Sequence, residues 1–279
     1  MPGDSLIHTF SARNAKTRAD WTTFAAHRER ITQIVAEHAP PSAASVCVLG
    51  AGNCTDLDLP WLTGRFQNVL LTDLDAAAMS HGVQAQLGDA PQRVRCLPAD
   101  VTNVYPILDD VIRGQSGMNE RMPELREQLA ALPALAESGE KLDCVISTCL
   151  LSQLIDAIRM AVPERDPRFL ELVLAVRRQH IAAMLALLAS GGTLILVTDF
   201  TSSLTSPDLA TVPDSQLAAY AAQQVAARNF FTGLNPKAVS EALAQLLPAG
   251  CAAPLLLHPW RWNLVPRLYL VTAHIARVP

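Results

Sequence analysis

The sequence predicts a three-layer α/β sandwich built on a mostly parallel sheet, and three observations carry that expectation. Short apolar runs of the buried-strand type alternate with longer stretches of helical periodicity. One run, Val46-Cys47-Val48-Leu49, ends abruptly in Gly50-Ala51-Gly52, and the next, Val69-Leu70-Leu71, closes on the acid Asp73. Two further apolar runs, 254–258 and 268–274, lie close enough together to pair antiparallel at a sheet edge.

Taken in order, residues 1–15 show no helical or strand period and are expected to be irregular. Over 19–38, Trp21, Phe24, Ile31 and Ile34 recur near every 3.6 residues, and Pro40-Pro41 stops that helix. Strands follow at 46–49, 68–72 and 94–97, with a short helical piece after Asp56 and a return helix over 76–87. The nearly continuous apolar run 142–147 is a strand buried on both faces. An amphipathic helix over 169–188 exits at Ser190-Gly191-Gly192, where glycine takes the left-handed conformation cheaply. A fifth strand over 193–198 ends at Asp199, and a last helix spans 236–247. Two segments, 103–141 and 201–234, are too long for ordinary loops and read as insertions carrying their own helices, over 124–135 and 216–231.

Composition narrows the function classes. Half of the 279 residues are hydrophobic and 17% are charged, enough for one large core. The net charge of −4 and the scattered arginines argue against a nucleic-acid surface. Six cysteines sit mostly inside apolar runs and form no CxxC pair, which fits reduced thiols rather than a disulfide scaffold or a metal site. No signal-like leader and no apolar stretch of about 20 residues is present, so a cytoplasmic, membrane-free protein is expected.

The turn Gly50-Ala51-Gly52 and the acid 23 positions after Gly50 suggest a nucleoside-bearing ligand. Glycines allow close approach of backbone to ligand, and a carboxylate at the end of the second strand can accept hydrogen bonds from two ribose hydroxyls.

Five motifs in chain order resemble those of class I S-adenosylmethionine-dependent methyltransferases. They are Leu49-Gly50-Ala51-Gly52, Asp73, Asp100, the stretch from Ser147 to Gln153 after strand four, and Gly191-Gly192 before strand five. The resemblance spans roughly residues 28–275. It implies a seven-stranded Rossmann-like sheet with an antiparallel edge hairpin, a domain over 41–279, and a helical segment over 1–40 folded across the cofactor cleft. It also implies S-adenosylmethionine as cofactor. By position, Gly50, Ala51 and Gly52 would line its methionine and ribose, Asp73 would hold the ribose diol, and Leu74 would pack on adenine. Asp100 would accept from the adenine amino group with Val101 nearby, and Thr148 and Cys149 would sit near the sulfonium. Asp75 is the alternative ribose ligand, and Asp100 has the alternative of capping a turn. Two departures stand out: Val48 replaces a frequent acid, and Cys54 replaces the third glycine.

The implied reaction is in-line methyl transfer to a small molecule or peptide, with the catalytic group and the oligomeric state left open. No D-P-P-Y or N-P-P-[YF] follows strand four, which argues against exocyclic base amines as acceptors, and no metal-ligand cluster is visible. Asp199 is a candidate to orient an amine or act as base, and Ser152, Gln153 and His180 are candidates with structural alternatives. Phe230-Phe231 and Trp260-Arg261-Trp262 are candidates for lining an acceptor pocket or binding a partner, with core and hairpin packing as the simpler account. Two other classes fit less well. A catalytically silent binding protein of the same fold would explain Val48 and Cys54. A nicotinamide-dinucleotide oxidoreductase would want a third glycine where Thr55 stands.

Overall fold

A computed structural model describes residues 5–89, 92–135 and 140–279. Its centre is one sheet in which β1 (Ser45–Leu49), β2 (Asn68–Asp73), β3 (Val94–Pro98), β4 (Leu142–Thr148) and the start of β5 (Leu188–Ser202) run parallel. The order across the sheet is β3-β2-β1-β4-β5-β8-β6, with β8 (Arg267–Arg277) antiparallel to β5. Two short strands, β6 (Leu255–Leu256) and β7 (Trp260–Leu264), pair with successive parts of β8 and share the outer position beside it. Eight strands thus fill seven positions, and the expected edge hairpin is present with its return strand inserted next to β5.

Alternation along the strands divides the core in two. Val46, Val48, Cys144, Ile146, Ile195 and Val197 face α2 (Ala25–His38), α3 (Leu59–Arg65) and α4 (Ala76–Leu87). Cys47, Leu49, Val145, Leu194 and Leu196 face the opposite layer, which holds α5 (Tyr105–Ile112), α6 (Met118–Ala130), α7 (Leu150–Ala161) and α8 (Phe169–Leu187). Side-chain caps begin several helices: Asp58 accepts from Trp61 N at 2.9 Å and Asp75 from Ala78 N at 3.0 Å. No helix among the described residues is long and apolar enough to cross a membrane.

Several expectations need correction. Of residues 1–15, expected to be irregular, 1–4 lie outside the described residues and 6–15 belong to α1 (Leu6–Thr17), capped by Ser5 and burying Leu6 and Phe10 one turn apart. Two apolar contacts in twelve residues are too sparse to give a period. The helix expected over 19–38 starts only at Ala25, because Trp21 is 40% exposed and packs against the Arg28 guanidinium, not the core. In the first insertion the helix lies at Met118–Ala130 rather than 124–135, and residues 136–139 lie outside the described residues. In the second insertion, α9 (Leu217–Ala226) is shorter than the run 216–231. The helix over 236–247 appears as α10 (Pro236–Leu246). Gly191 and Gly192 fall inside the span of β5, where the register against β4 shifts between Leu142 and Cys144. Trp260-Arg261-Trp262 forms the body of β7.

Candidate functional site

The turn after β1 is sewn to the end of β2. Gly50 N and Ala51 N both donate to Thr72 O, at 2.7 and 3.1 Å, and Gly52 N donates to Asp73 Oδ2 at 2.9 Å. Asp73 Oδ1 accepts from Asp75 N at 2.8 Å. The Asp73 carboxylate therefore accepts from this turn, and Val48 is fully buried in the core cluster that also holds Ile31, Ile34 and Val35 of α2. Burial pushes the Asp73 carboxyl above its ordinary range, while the amides of Asp75 and Gly52 pull it down.

Gly50, Gly52, Asp73 and Leu74 share one cleft with Ala99 and Val101, at the carboxyl ends of β1, β2 and β3. Helix α1 covers it, contributing Phe10 and Asn14, and Leu150 and Gln153 reach in from α7. Its free volume is about 50 Å³, whereas pockets for small organic ligands start near about 300 Å³. A Cβ on Gly50 would stand 2.8 Å from Leu150 Cδ1, and one on Gly52 would stand 3.3 Å from Asn14 Oδ1. The space these glycines leave is taken by the protein's own side chains.

The predicted site residues divide accordingly. Gly50, Gly52, Asp73, Leu74 and Val101 meet in the cleft, and Ala51 is buried within the turn. Asp75 caps α4 through Oδ1 and accepts from Asn14 Nδ2 at 3.2 Å through Oδ2, so it is engaged as a structural acid. Asp100 stands beside the cleft rather than in it. Its Oδ1 accepts from Thr102 N and Thr102 Oγ1, at 2.8 and 2.7 Å, and its Oδ2 accepts from Tyr105 N at 2.8 Å, fixing the start of α5. Thr148 and Cys149 lie at the end of β4, also outside the cleft; both are buried, and Cys149 is left-handed (φ 50°) as it turns into α7.

The other candidates settle as follows. His180 is buried in α8 with Nε2 2.9 Å from Ser147 Oγ, and burial lowers its pKa to about 4, so it is a neutral packed histidine. Arg261 donates to Val212 O at 3.0 Å and pairs with Asp214, tying the second insertion to β7. Trp260 donates to His27 Nδ1 at 3.0 Å, and His27 stacks on Trp262 at 4.7 Å. Phe231 sits edge-on to Tyr269 at 6.3 Å. Ser152 Oγ donates to Asp199 Oδ1 at 2.7 Å.

Sequence reasoning passed over two residues. Gly82 in α4 is one: a Cβ there would lie 2.2 Å from Asn53 O, so the close approach usually assigned to a third glycine of the turn has moved into the facing helix. Cys54, at that third position, takes a left-handed φ of 55° and is fully buried. Asp56 is the other, a carboxyl in the loop after the glycine turn. Burial pushes it up to about 6, opposed first by the Thr148 hydroxyl and more weakly by Arg28.

No family model matches the chain, and no curated protein matches it. Among solved structures, the N-methyltransferase NodS from Bradyrhizobium japonicum WM9 is similar in chain path at 12% identity and a TM-score of 0.45, covering 92% of this chain and 97% of that one. Magnesium protoporphyrin IX methyltransferase (ChlM) from Synechocystis PCC 6803, solved with bound SAM, gives 13% identity and a TM-score of 0.48 over 92% and 81%. An O-methyltransferase family protein from Burkholderia thailandensis gives 13% and 0.46 over 96% and 59%.

Proposed function

We propose that the chain is an S-adenosylmethionine-dependent methyltransferase acting on a small-molecule or peptide acceptor. The observation that carries this is the junction of the glycine turn with the Asp73 carboxylate, flanked by Leu74 and Val101 at the strand ends. Each Asp73 oxygen already accepts one amide and keeps a further lone pair, so a ribose diol fits that acid. Leu74 and Val101 supply the apolar walls an adenine ring needs, and the turn offers a backbone cradle along the methionine part. Asp100, beside the cleft, keeps one unfilled acceptor position once its three internal donors are counted, and the resemblance assigns it to the adenine amino group. Thr148 and Cys149 belong to the reacting end. When bound, the cofactor supplies a methyl group on sulfur that an aligned nucleophile displaces in line; the chain aligns the acceptor and keeps water out.

Calorimetric titration with S-adenosylhomocysteine tests this. Binding in the micromolar range is expected, and no heat at tens of micromolar overturns it. A second reading, a catalytically silent protein of the same fold, is favoured by the narrow cleft, with Leu150 and Asn14 against the two glycines. The same titration separates the two. Thr55 in place of a third glycine keeps a nicotinamide dinucleotide well behind both.

A further inference from the structure

Two carboxyl groups, Asp199 buried within the last residues of β5 and Asp56 half-buried in the loop after the glycine turn, lie toward the end of the sheet where β4 stops. Asp199 is 4% exposed and its side chain accepts from Ser152 Oγ at 2.7 Å. Alternation from Ile195 and Val197 puts it on the α2 face, which Thr148 shares with Cys144 and Ile146. Asp56 comes from the loop after the glycine turn, and the Thr148 hydroxyl lies beside its carboxyl and favours the charged form. That hydroxyl is on a residue 3% exposed and has no hydrogen-bond partner of ordinary geometry. Cys149, next in the chain, has its thiol in the field of both Asp199 and Asp56.

Neither acid has a cation within ion-pair distance among the described residues. Arg28 acts on Asp56 only from further away. Its Nη1 donates to Thr55 O at 2.8 Å and to Trp21 O at 3.1 Å, and the guanidinium lies over the Trp21 ring at 3.4 Å. An uncompensated buried carboxylate such as Asp199 is costly, and a fold that keeps it, with the half-buried Asp56, around the Thr148 hydroxyl is short of one positive group with N–H donors. Beside them on the same face, Phe24, Trp262 and Tyr269 form an aromatic wall, Trp262 lying 5.5 Å from each of the other rings. Tyr269 pairs with Ser202 and Val271 with Asp199, so β8 carries this wall along the end of β5. Acids and aromatic rings at one end of the sheet suit an ammonium group on an apolar body.

We propose that Asp56, Asp199 and Thr148 form the ammonium-binding end of the acceptor site, so that the group methylated is an amine. This rests on the methyltransferase reading above. An entering ammonium donates to the two carboxylates and to the Thr148 oxygen. It passes one proton to a carboxylate, which becomes the neutral acid, and the freed nitrogen lone pair points at the methyl group. As the nitrogen–carbon bond forms, the carbon–sulfur bond breaks and its electron pair stays on sulfur. The methylated nitrogen leaves as an ammonium, and the carboxylic acid returns its proton to water. Burial raises both carboxyls to about 6, which leaves them charged at neutral pH yet more basic than a surface acid. An alcohol is too weak an acid to give up its proton to such a base, which favours nitrogen over oxygen.

Calorimetry at neutral pH with three probes of one shape and different charge tests this: 2-phenylethylammonium, 2-phenylethanol and 3-phenylpropanoate. Each is titrated to about 10 mM into the protein with and without S-adenosylhomocysteine. The cation alone should bind, and Asp56→Asn and Asp199→Asn should each weaken it about tenfold or more, with Thr148→Val weakening it less. Asp56→Asn and Asp199→Asn should retain S-adenosylhomocysteine affinity within about twofold, which also reports that they fold, and a cooperative denaturation curve reports the folding of Thr148→Val. Equal binding of the alcohol or the acid overturns the amine assignment, as does absence of cation binding in both conditions or unchanged cation affinity in both Asn variants. Loss of S-adenosylhomocysteine binding by the unaltered protein instead removes the cofactor reading and leaves the cation result to be judged from the cofactor-free titration.

Discussion

Asp73 holds two backbone turns with one carboxylate, through Gly52 N at 2.9 Å and Asp75 N at 2.8 Å. Removing it leaves both amides without a partner at the rim of the cleft. Asp73→Ala is expected to cost about 1–3 kcal/mol of stability. It should also weaken S-adenosylhomocysteine at least tenfold, or about 1.4 kcal/mol. Unchanged affinity in a folded variant would withdraw the ribose assignment. Gly82 makes a sharper test of packing. Its substitution places a Cβ 2.2 Å from a backbone oxygen, Asn53 O, which cannot swing aside as a side chain would. Gly82→Ala should therefore lower the denaturation midpoint, at a cost of about 1–3 kcal/mol or more, and disturb the glycine turn behind it. A variant as stable as the parent would show that the loop yields freely.

Among elements, α1 is held across the cleft by buried Leu6 and Phe10, by Asn53 donating to Asn14 O, and by polar ties to α4, α5 and α7. Leu6 N donates to Asp109 Oδ1 at 2.7 Å, Arg13 pairs with Asp156 at 2.6 Å, and Asn14 reaches Asp75 at 3.2 Å. The Arg13 side chain is 45% exposed, so its ion pair contributes about 1 kcal/mol at most. With only about 50 Å³ free beneath it, α1 or α7 has to shift before an adenosyl group can enter. Replacing Arg13 and Asn14 together by alanine should speed both S-adenosylhomocysteine association and trypsin cleavage after the exposed Lys16. Ligand should slow that cleavage. Identical rates in parent and variant would mean that α1 is not the moving part.

At the scale of the molecule, buried titratable groups pull stability in opposite directions with pH. His27, His180 and His274 are buried, and burial lowers their pKa values to about 3, 4 and 3. The unfolded chain takes up those protons first, so stability present above about pH 6.5 is lost progressively toward pH 4 and below. Asp56 and Asp199, raised to about 6, have the reverse sign. Their contribution is present below the ordinary carboxyl value of 3.8 and is lost as pH rises through 6. Three larger shifts outweigh two smaller ones, so denaturant midpoints should fall as pH drops from 6.5 to 4. Asp199→Asn should be more stable than the parent at pH 8 by about 2 kcal/mol, and the gap should close on acidification. A gap that widens toward pH 4 would mean that Asp199 is not held as a strained charge.

The sequence by itself determined the sheet and its ends. Apolar runs, the glycine turn and the acid of β2 are local features, and a strand buried on both faces leaves its mark within five residues. The same locality hid α1, whose two buried residues make no period, and β7, a five-residue strand that no continuous apolar run marks. What only the tertiary structure decided is who fills the space at the strand ends. Leu150 and Asn14 stand against the two glycines, Gly82 admits the loop, and Asp56 meets Thr148 in the charge field it shares with Asp199. Those contacts join residues from distant segments, brought together by crossovers that no neighbouring residue encodes. Burial, which raises one carboxyl and silences one imidazole, is a property of that assembly and not of any segment in it.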